Sequence, residues 1–220
     1  MDWMNAQIFH GLTDEERREV RRFLEPEITR VRVAAGEAIH KGGDRPMNAV
    51  IVEEGVLRSV HYTSEGEELS AFYYPPGSSV FHIACLTDSP VNSYCVTLQD
   101  AVCVNIPKAA FVRAVEVMSY FQHSLLMHIC ATSETLIEHT VTVQMKRPRQ
   151  RICRYLLESG GQEGVVHTLP FNTTALATYL NMARPTLSRE LHQMEKDGII
   201  TVSRGMLTIS DMDKLYEELN

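Results

Sequence analysis

The sequence predicts an α+β chain: an antiparallel β barrel or sandwich, then one long helix, then a pair of short helices followed by a β-hairpin. Three observations predict it. From Ile28 to Ile106 the runs ITRVRVAAG, AVIVEEGVLRSVHY, LSAFYYPPG and YCVTLQDAVCVNIP are short, alternating and separated by glycine or proline, as in closed antiparallel folds. Between Ser119 and Met145, the residues Phe121, Leu125, Ile129, Thr132, Leu136, Thr140 and Val143 step by four, four, three, four, four, three. That spacing marks one edge of a single helix. From Asn172 to Gly198, two stretches of helical period meet at a tight turn.

Each element has a local cause. Thr13 caps a leading helix over residues 13–24, with acidic residues in its first turn and Val20, Phe23 and Leu24 on its apolar edge. Lys108 to Val117 forms a short helix closing the barrel. The long helix that follows has an apolar edge that calls for a partner. Lys146-Arg147-Pro148 ends it, because proline biases its predecessor away from helical geometry, and this break reads as a hinge. A helix from Arg149 to Ser159, a loop at 160–164 and a strand Val165–Leu169 come next.

Asn172 and Thr173 cap a helix carrying Leu176, Tyr179 and Leu180, and Asn181 stops it. A second helix starts at Arg184-Pro185, where proline loses no amide partner, and buries Leu187, Leu191 and Met194. At the helical period Arg184, Pro185, Ser188, Arg189 and His192 share one outward arc. Such a stripe suits the DNA major groove: arginine donates a bidentate pair to guanine, and serine contacts base or phosphate. Spacing alone leaves an ordinary solvated helical hairpin equally open. Ile199–Val202, the turn Ser203-Arg204-Gly205 and Met206–Ile209 form a hairpin, and Asp211 caps a final helix with Met212, Leu215 and Leu219.

The 220 residues suffice for two modest domains, each with a core. A net charge of −7 argues against DNA binding until it is divided. Residues 144–220 carry ten Lys/Arg against nine Asp/Glu, whereas residues 1–143 carry eleven against nineteen. The cluster Lys146, Arg147, Arg149, Arg151 and Arg154 opens the second part, and local charge governs phosphate attraction. Five cysteines, an odd number without C-x-x-C spacing, argue against a disulfide framework or structural zinc. No apolar run approaches membrane-spanning length and the amino terminus lacks a leader pattern, so a cytoplasmic chain without a membrane role is expected. The strands show no grouped metal ligands of the kind a jelly-roll enzyme needs, so no catalytic residue and no metal site is assigned.

RPTLSREL followed by HQMEKDGII resembles the recognition helix and following turn of the CRP/FNR family of bacterial transcription regulators. Three turns in the first half resemble the same family: Ala35-Gly36-Glu37 leading to Lys41-Gly42-Gly43-Asp44, the strand Val50–Leu57 with its Gly55, and Tyr74–Ser78, where Ser78 replaces the usual aspartate. The resemblance implies a cyclic-nucleotide-binding-like β jelly roll at 1–117 that senses an effector, a dimerisation helix at 118–146 and a winged helix-turn-helix DNA-binding domain at 147–220. It implies a homodimer whose long helices pair in parallel, double-stranded DNA with a near-palindromic site as partner, and RNA polymerase as a further possible one. Arg189 then reads a guanine, Ser188 touches base or phosphate, Arg184 does either, and Thr173, Thr174 and Arg204 contact phosphate. Pro185 stands where many members carry a base-reading glutamate.

The sensing half departs further. His82 and Ile83 stand where the family's phosphate cassette has glycine and glutamate, and Val91-Asn92 offers no guanidinium, which argues against gating by cyclic AMP. Tyr73, Phe81, His82, Cys85, Asn92 and Ser93, with Leu136 and Ile137 from the long helix, are the expected pocket for an unidentified small-molecule effector. No cofactor is fixed by the sequence. An iron–sulfur cluster lacks grouped cysteines; haem has His82, Cys85, His123 and His128 as ligands by type only. The alternatives are a thiol- or haem-based redox or gas sensor of the same architecture, with Cys85 or Cys95 as the thiol, and a small-molecule-binding protein without a regulatory role.

Overall fold

The computed structural model describes residues 1–62, 64–66, 68–168, 173–203 and 206–219; at 68–71 and 166–168 it describes backbone alone. Met1–Ser133 and Glu134–Asn220 form two compact units.

In the first unit, strands β1 (Thr29–Val33), β2 (Ala38–His40), β3 (Asn48–Glu54), β4 (Leu57–Tyr62), β5 (Glu68–Tyr74), β6 (Ser79–Val80), β7 (Tyr94–Thr97) and β8 (Ala101–Pro107) make two four-stranded antiparallel sheets. Their orders are β1-β8-β3-β6 and β2-β7-β4-β5. Val33, Val50, Val52, Ala101 and Cys103 of the first sheet meet Leu57 and Cys95 of the second in a core between them. The opposite face of β3 and β8 offers Ala49, Ile51, Val104 and Ile106 to a second core built with helices. Burial on both faces explains why β3 reads AVIV with no polar alternation.

The helices of that second core are α1 (Asp14–Leu24), α3 (Lys108–Val117) and the start of α4 (Ser119–Gln144), while α2 (His82–Thr87) lies between β6 and β7. Thr13 and Glu16 form a reciprocal capping box at the start of α1. The amino terminus folds into two 3-10 turns, Trp3–Asn5 and Gln7–Phe9. Trp3, Ile8 and Phe9 are fully buried there. Phe9 stacks on Phe121 with ring centroids 5.4 Å apart, and Phe111 meets Phe121 edge-on at 5.9 Å.

This corrects the expected helix seam. Phe121 and Leu125, its first two members, are buried within their own chain. Exposed apolar residues on α4 begin at Leu126 and Met127 and continue through Leu136, Ile137 and Val141.

The second unit holds the end of α4 and α5 (Pro148–Glu158), β9 (Val166–Thr168), α6 (Thr173–Tyr179), α7 (Arg184–Lys196), β10 (Ile200–Ser203), β11 (Met206–Ile209) and α8 (Met212–Glu217). Its sheet runs β10-β11-β9, with the hairpin register Ile200↔Ile209 and Ser203↔Met206. Arg147 is extended, as a residue before proline should be, so α4 and α5 are separate helices. The break is nevertheless bridged. The His139 Nε2 lies 2.8 Å from the Tyr179 carbonyl, the Thr142 hydroxyl donates to Glu158, and Arg151 Nε donates to the Met145 carbonyl at 2.8 Å. Asp211 caps α8 by accepting from the Lys214 amide, as expected, and Leu219 lies beyond the helix end.

Candidate nucleic-acid interface

Helix α7 carries the site. Leu187, Leu191 and Met194 are buried in one core with Leu176 and Leu180 from the α6 region and Ile152 and Leu156 from α5. With that stripe fixed, Arg184, Pro185, Ser188, Arg189 and His192 are all exposed. Among the described residues, no hydrogen bond or ion pair holds the side chain of Arg184 or Arg189. Both guanidinium groups are therefore available to an external acceptor. Asn181 ends the first helix in the left-handed region (φ 49°), which asparagine tolerates better than most residues. Thr173 and Thr174 are exposed at the start of α6, whereas Asn172, the expected cap, and Arg204, the expected phosphate contact on the wing, lie outside the described residues.

The basic cluster before α6 is largely spent inside the unit, which its sequence did not reveal. Arg149 donates to Glu190 (3.3 Å), Asp197 (3.0 Å) and Glu218 (2.8 Å). The hydrogen bond to Glu218 comes first among the causes that hold its guanidinium proton even more firmly than usual. Arg151 donates to the carbonyls of Met145, Leu180 (3.2 Å) and Asn181 (2.6 Å), so it fastens the turn between α6 and α7. Arg154 pairs with Glu158 one helical turn on. Lys146 and Arg147 remain exposed. Three of the five cations are thus engaged within the unit, and two of them, Arg149 and Arg151, fasten the helix-turn-helix.

In the first unit, a cavity of about 500 Å³ opens between the sheets. Val31, Val33, Val50 and Cys103 line its floor, with Asn48 and Asn105 beside them. His40 and Phe81 also line it, their ring centroids 5.0 Å apart. Of the eight residues expected to form an effector pocket, Phe81 alone lines this cavity. Phe81 sits at φ 66°, a left-handed conformation uncommon for a bulky residue. His82 is buried, its Nδ1 3.2 Å from the Ser79 hydroxyl and its Nε2 without a partner. Burial above all, then the neighbouring His128, lowers its pKa to about 4. Cys85 packs in the helix-facing core, Ser93 is buried, Asn92 is exposed, and the Arg58 guanidinium lies 5.9 Å from the Tyr73 ring centre. Leu136 and Ile137 belong to the second unit, 43% and 64% exposed on α4.

Burial pushes the thiols of Cys85 and Cys103 up to about 11 and those of Cys95 and Cys153 to about 12. Neither Cys85 nor Cys95 is thiolate at neutral pH, so neither suits the thiol sensing considered from sequence. Cys130, on α4, is exposed. Among the described residues, no group of three or more His, Cys, Asp or Glu is placed to hold a metal ion, and no helix is long and apolar enough to cross a membrane.

Comparison with known proteins matches residues 30–117 to the cyclic nucleotide-binding domain and residues 150–218 to the Crp-like helix-turn-helix domain. The chain is 20% identical over 191 residues to the anaerobic regulatory protein of Haemophilus influenzae, covering 84% of this chain and 74% of that one. It is 21% identical to the regulatory protein HlyX of Actinobacillus pleuropneumoniae, covering 83% and 78%. Among solved structures, a CooA mutant from Carboxydothermus hydrogenoformans superposes with a TM-score of 0.77 at 19% identity, covering 98% of this chain and 100% of that one. FixK2 from Bradyrhizobium japonicum gives 0.72 at 17% identity, covering 86% and 96%. These two likenesses support the fold. A jelly roll followed by a helix-turn-helix with an open arginine stripe, matched domain by domain, places the chain in the CRP/FNR family of DNA-binding transcription regulators.

Proposed function

We propose that the protein is an effector-responsive regulator that acts in the cytoplasm as a homodimer on a near-palindromic DNA site. The observation that carries this reading is the exposed, unengaged stripe Arg184, Ser188 and Arg189 on a helix whose opposite face is locked in a core. Pairing of two chains along the exposed part of α4 would present two such helices to successive major grooves about 34 Å apart. An effector in the jelly roll would shift α4 and with it the spacing of the two reading helices. Gating by cyclic AMP is disfavoured: His82 is buried and neutral above about pH 4, so it supplies no cation to a cyclic phosphate.

The test is Arg189→Ala, measured against a selected site and a scrambled duplex at one salt concentration. Specific binding should weaken by about 1–3 kcal/mol while weak nonspecific binding persists. Equal losses on both duplexes would rule out base reading by this residue.

A further inference from the structure

We propose that Arg149 is a positioning residue for DNA recognition: it fixes the rotation of α7, and so the bases that Arg189 and Arg184 reach, without touching DNA itself. This rests on the DNA-reading function proposed above.

The geometry is specific. Arg149 lies in the first turn of α5, and its guanidinium contacts α7 twice, at Glu190 near the middle and at Asp197 at the carboxy-terminal cap, while also holding Glu218 at the end of α8. Glu190 and Asp197 are seven residues apart, about two helical turns, so they mark one stripe along α7. That stripe borders the buried one, lies roughly opposite Ser188 and stands about a quarter turn from Arg189.

Apolar packing is non-directional, and Leu187, Leu191 and Met194 alone would tolerate some rolling of the helix. Hydrogen bonds from a planar guanidinium to two points on one stripe do not. Side-chain ends stand about 5–6 Å from a helix axis, so a roll of about 20° displaces them by about 2 Å. A hydrogen bond to a base edge is lost over such a distance. The Arg149 side chain is only 21% exposed and Glu190 equally so, which makes this a half-buried network rather than a surface ion pair.

Removing Arg149 and removing Glu190 change charge in opposite directions, and this separates positioning from electrostatics. Arg149→Gln leaves three carboxylates unpaired, whereas Glu190→Ala deletes one of them and puts a good helix former in its place. The probe is a duplex library randomised over two half-sites, from which the wild-type chain and the variants each select. Affinity is then measured on the wild-type winner and on a scrambled duplex, with helicity and melting temperature followed in parallel. Both variants should broaden the selected sequence and reduce discrimination about tenfold. Glu190→Ala should do so while binding scrambled DNA as well as wild type or better. Arg149→Lys, a point charge without the planar fork, should fall between wild type and Arg149→Gln.

A folded Glu190→Ala variant that selects the wild-type sequence with undiminished discrimination overturns the proposal, whatever Arg149→Gln does to folding. If the wild-type chain enriches no sequence, the DNA-reading function itself fails. If wild type selects and Glu190→Ala selects identically, only the role of Arg149 fails.

Discussion

Replacing Phe121 by alanine separates the part of α4 that belongs to its own chain from the part left open. Phe121 is fully buried, stacked on Phe9 and met edge-on by Phe111. Truncating a buried phenylalanine costs about 3–5 kcal/mol, and the loss of two aromatic pairs puts this site near the upper end. The single tryptophan of the chain, Trp3, is buried in the same core. Its fluorescence during urea titration therefore reports the first unit, which avoids treating a two-unit chain as one transition. The loss should be independent of protein concentration, because a single chain already buries Phe121 completely. Ile137→Ala makes the contrast: at 64% exposure it removes little from the isolated chain, while in a paired helix it should weaken dimerisation by about 1–2 kcal/mol, read by sedimentation. A Phe121→Ala loss below about 1 kcal/mol, or one that vanishes at high protein concentration, would refute the intrachain assignment.

Three further outcomes follow from the same contacts. Iodoacetamide should spare Cys85, Cys95, Cys103 and Cys153 and reach Cys130 alone, which shares the exposed face of α4 proposed to pair, so its single adduct in the mass spectrum should form faster as dilution separates the chains; rapid labelling of Cys95 would contradict its burial. Lys146→Gln or Arg147→Gln should each reduce the salt dependence of DNA binding by about one unit of log–log slope if it meets phosphate, whereas Arg151→Gln should destabilise the second unit and leave that slope unchanged. For His82 the folded pKa is near 4 and the unfolded one near 6.5, so between these values the unfolded chain binds more protons. Stability should therefore be complete above about pH 6.5, fall by on the order of 3 kcal/mol toward pH 4 and level off below, and His82→Gln should remove that part of the acid limb in urea titrations followed by Trp3.

The recognition helix was legible in sequence because two periods agreed: the buried Leu187, Leu191 and Met194 and the exposed Arg184, Ser188 and Arg189 sit where the helical repeat puts them. Caps were legible too, since Thr13 and Asp211 each act on an amide three residues away. Long-range partners were not. Nothing local to Arg149 or Arg151 distinguishes a phosphate contact from a fastener whose acceptors lie about 30 to 70 residues later. The seam reading failed at Phe121 for a related reason: an apolar edge shows that a helix is buried without showing by what, and the 3-10 turns of the amino terminus supply the cover. Helix α2 is only six residues long, and its flanking residues Phe81 and Asp88 take left-handed conformations that side-chain type does not announce.

The break at Arg147-Pro148 invites the reading that signals bend the chain there, and the magnitudes oppose it. Bending at that point would separate His139 from the Tyr179 carbonyl, Thr142 from Glu158 and Arg151 from the Met145 carbonyl. Bonds involving a charged partner contribute about 1.5–3 kcal/mol each and neutral ones about 0.5–1.5, so the three together come to about 3.5–7.5 kcal/mol. Allosteric coupling energies are typically about 1–3 kcal/mol. Opening this joint would therefore cost more than an effector of ordinary coupling strength supplies, unless other contacts replaced these bonds. The end of α4 is bonded to α5, and α5 holds the end of α6 through Arg151 and α7 through Arg149. A displacement that reached His139 would be passed along these bonds toward the reading helix, with the proline turning the chain between two helices fastened to each other.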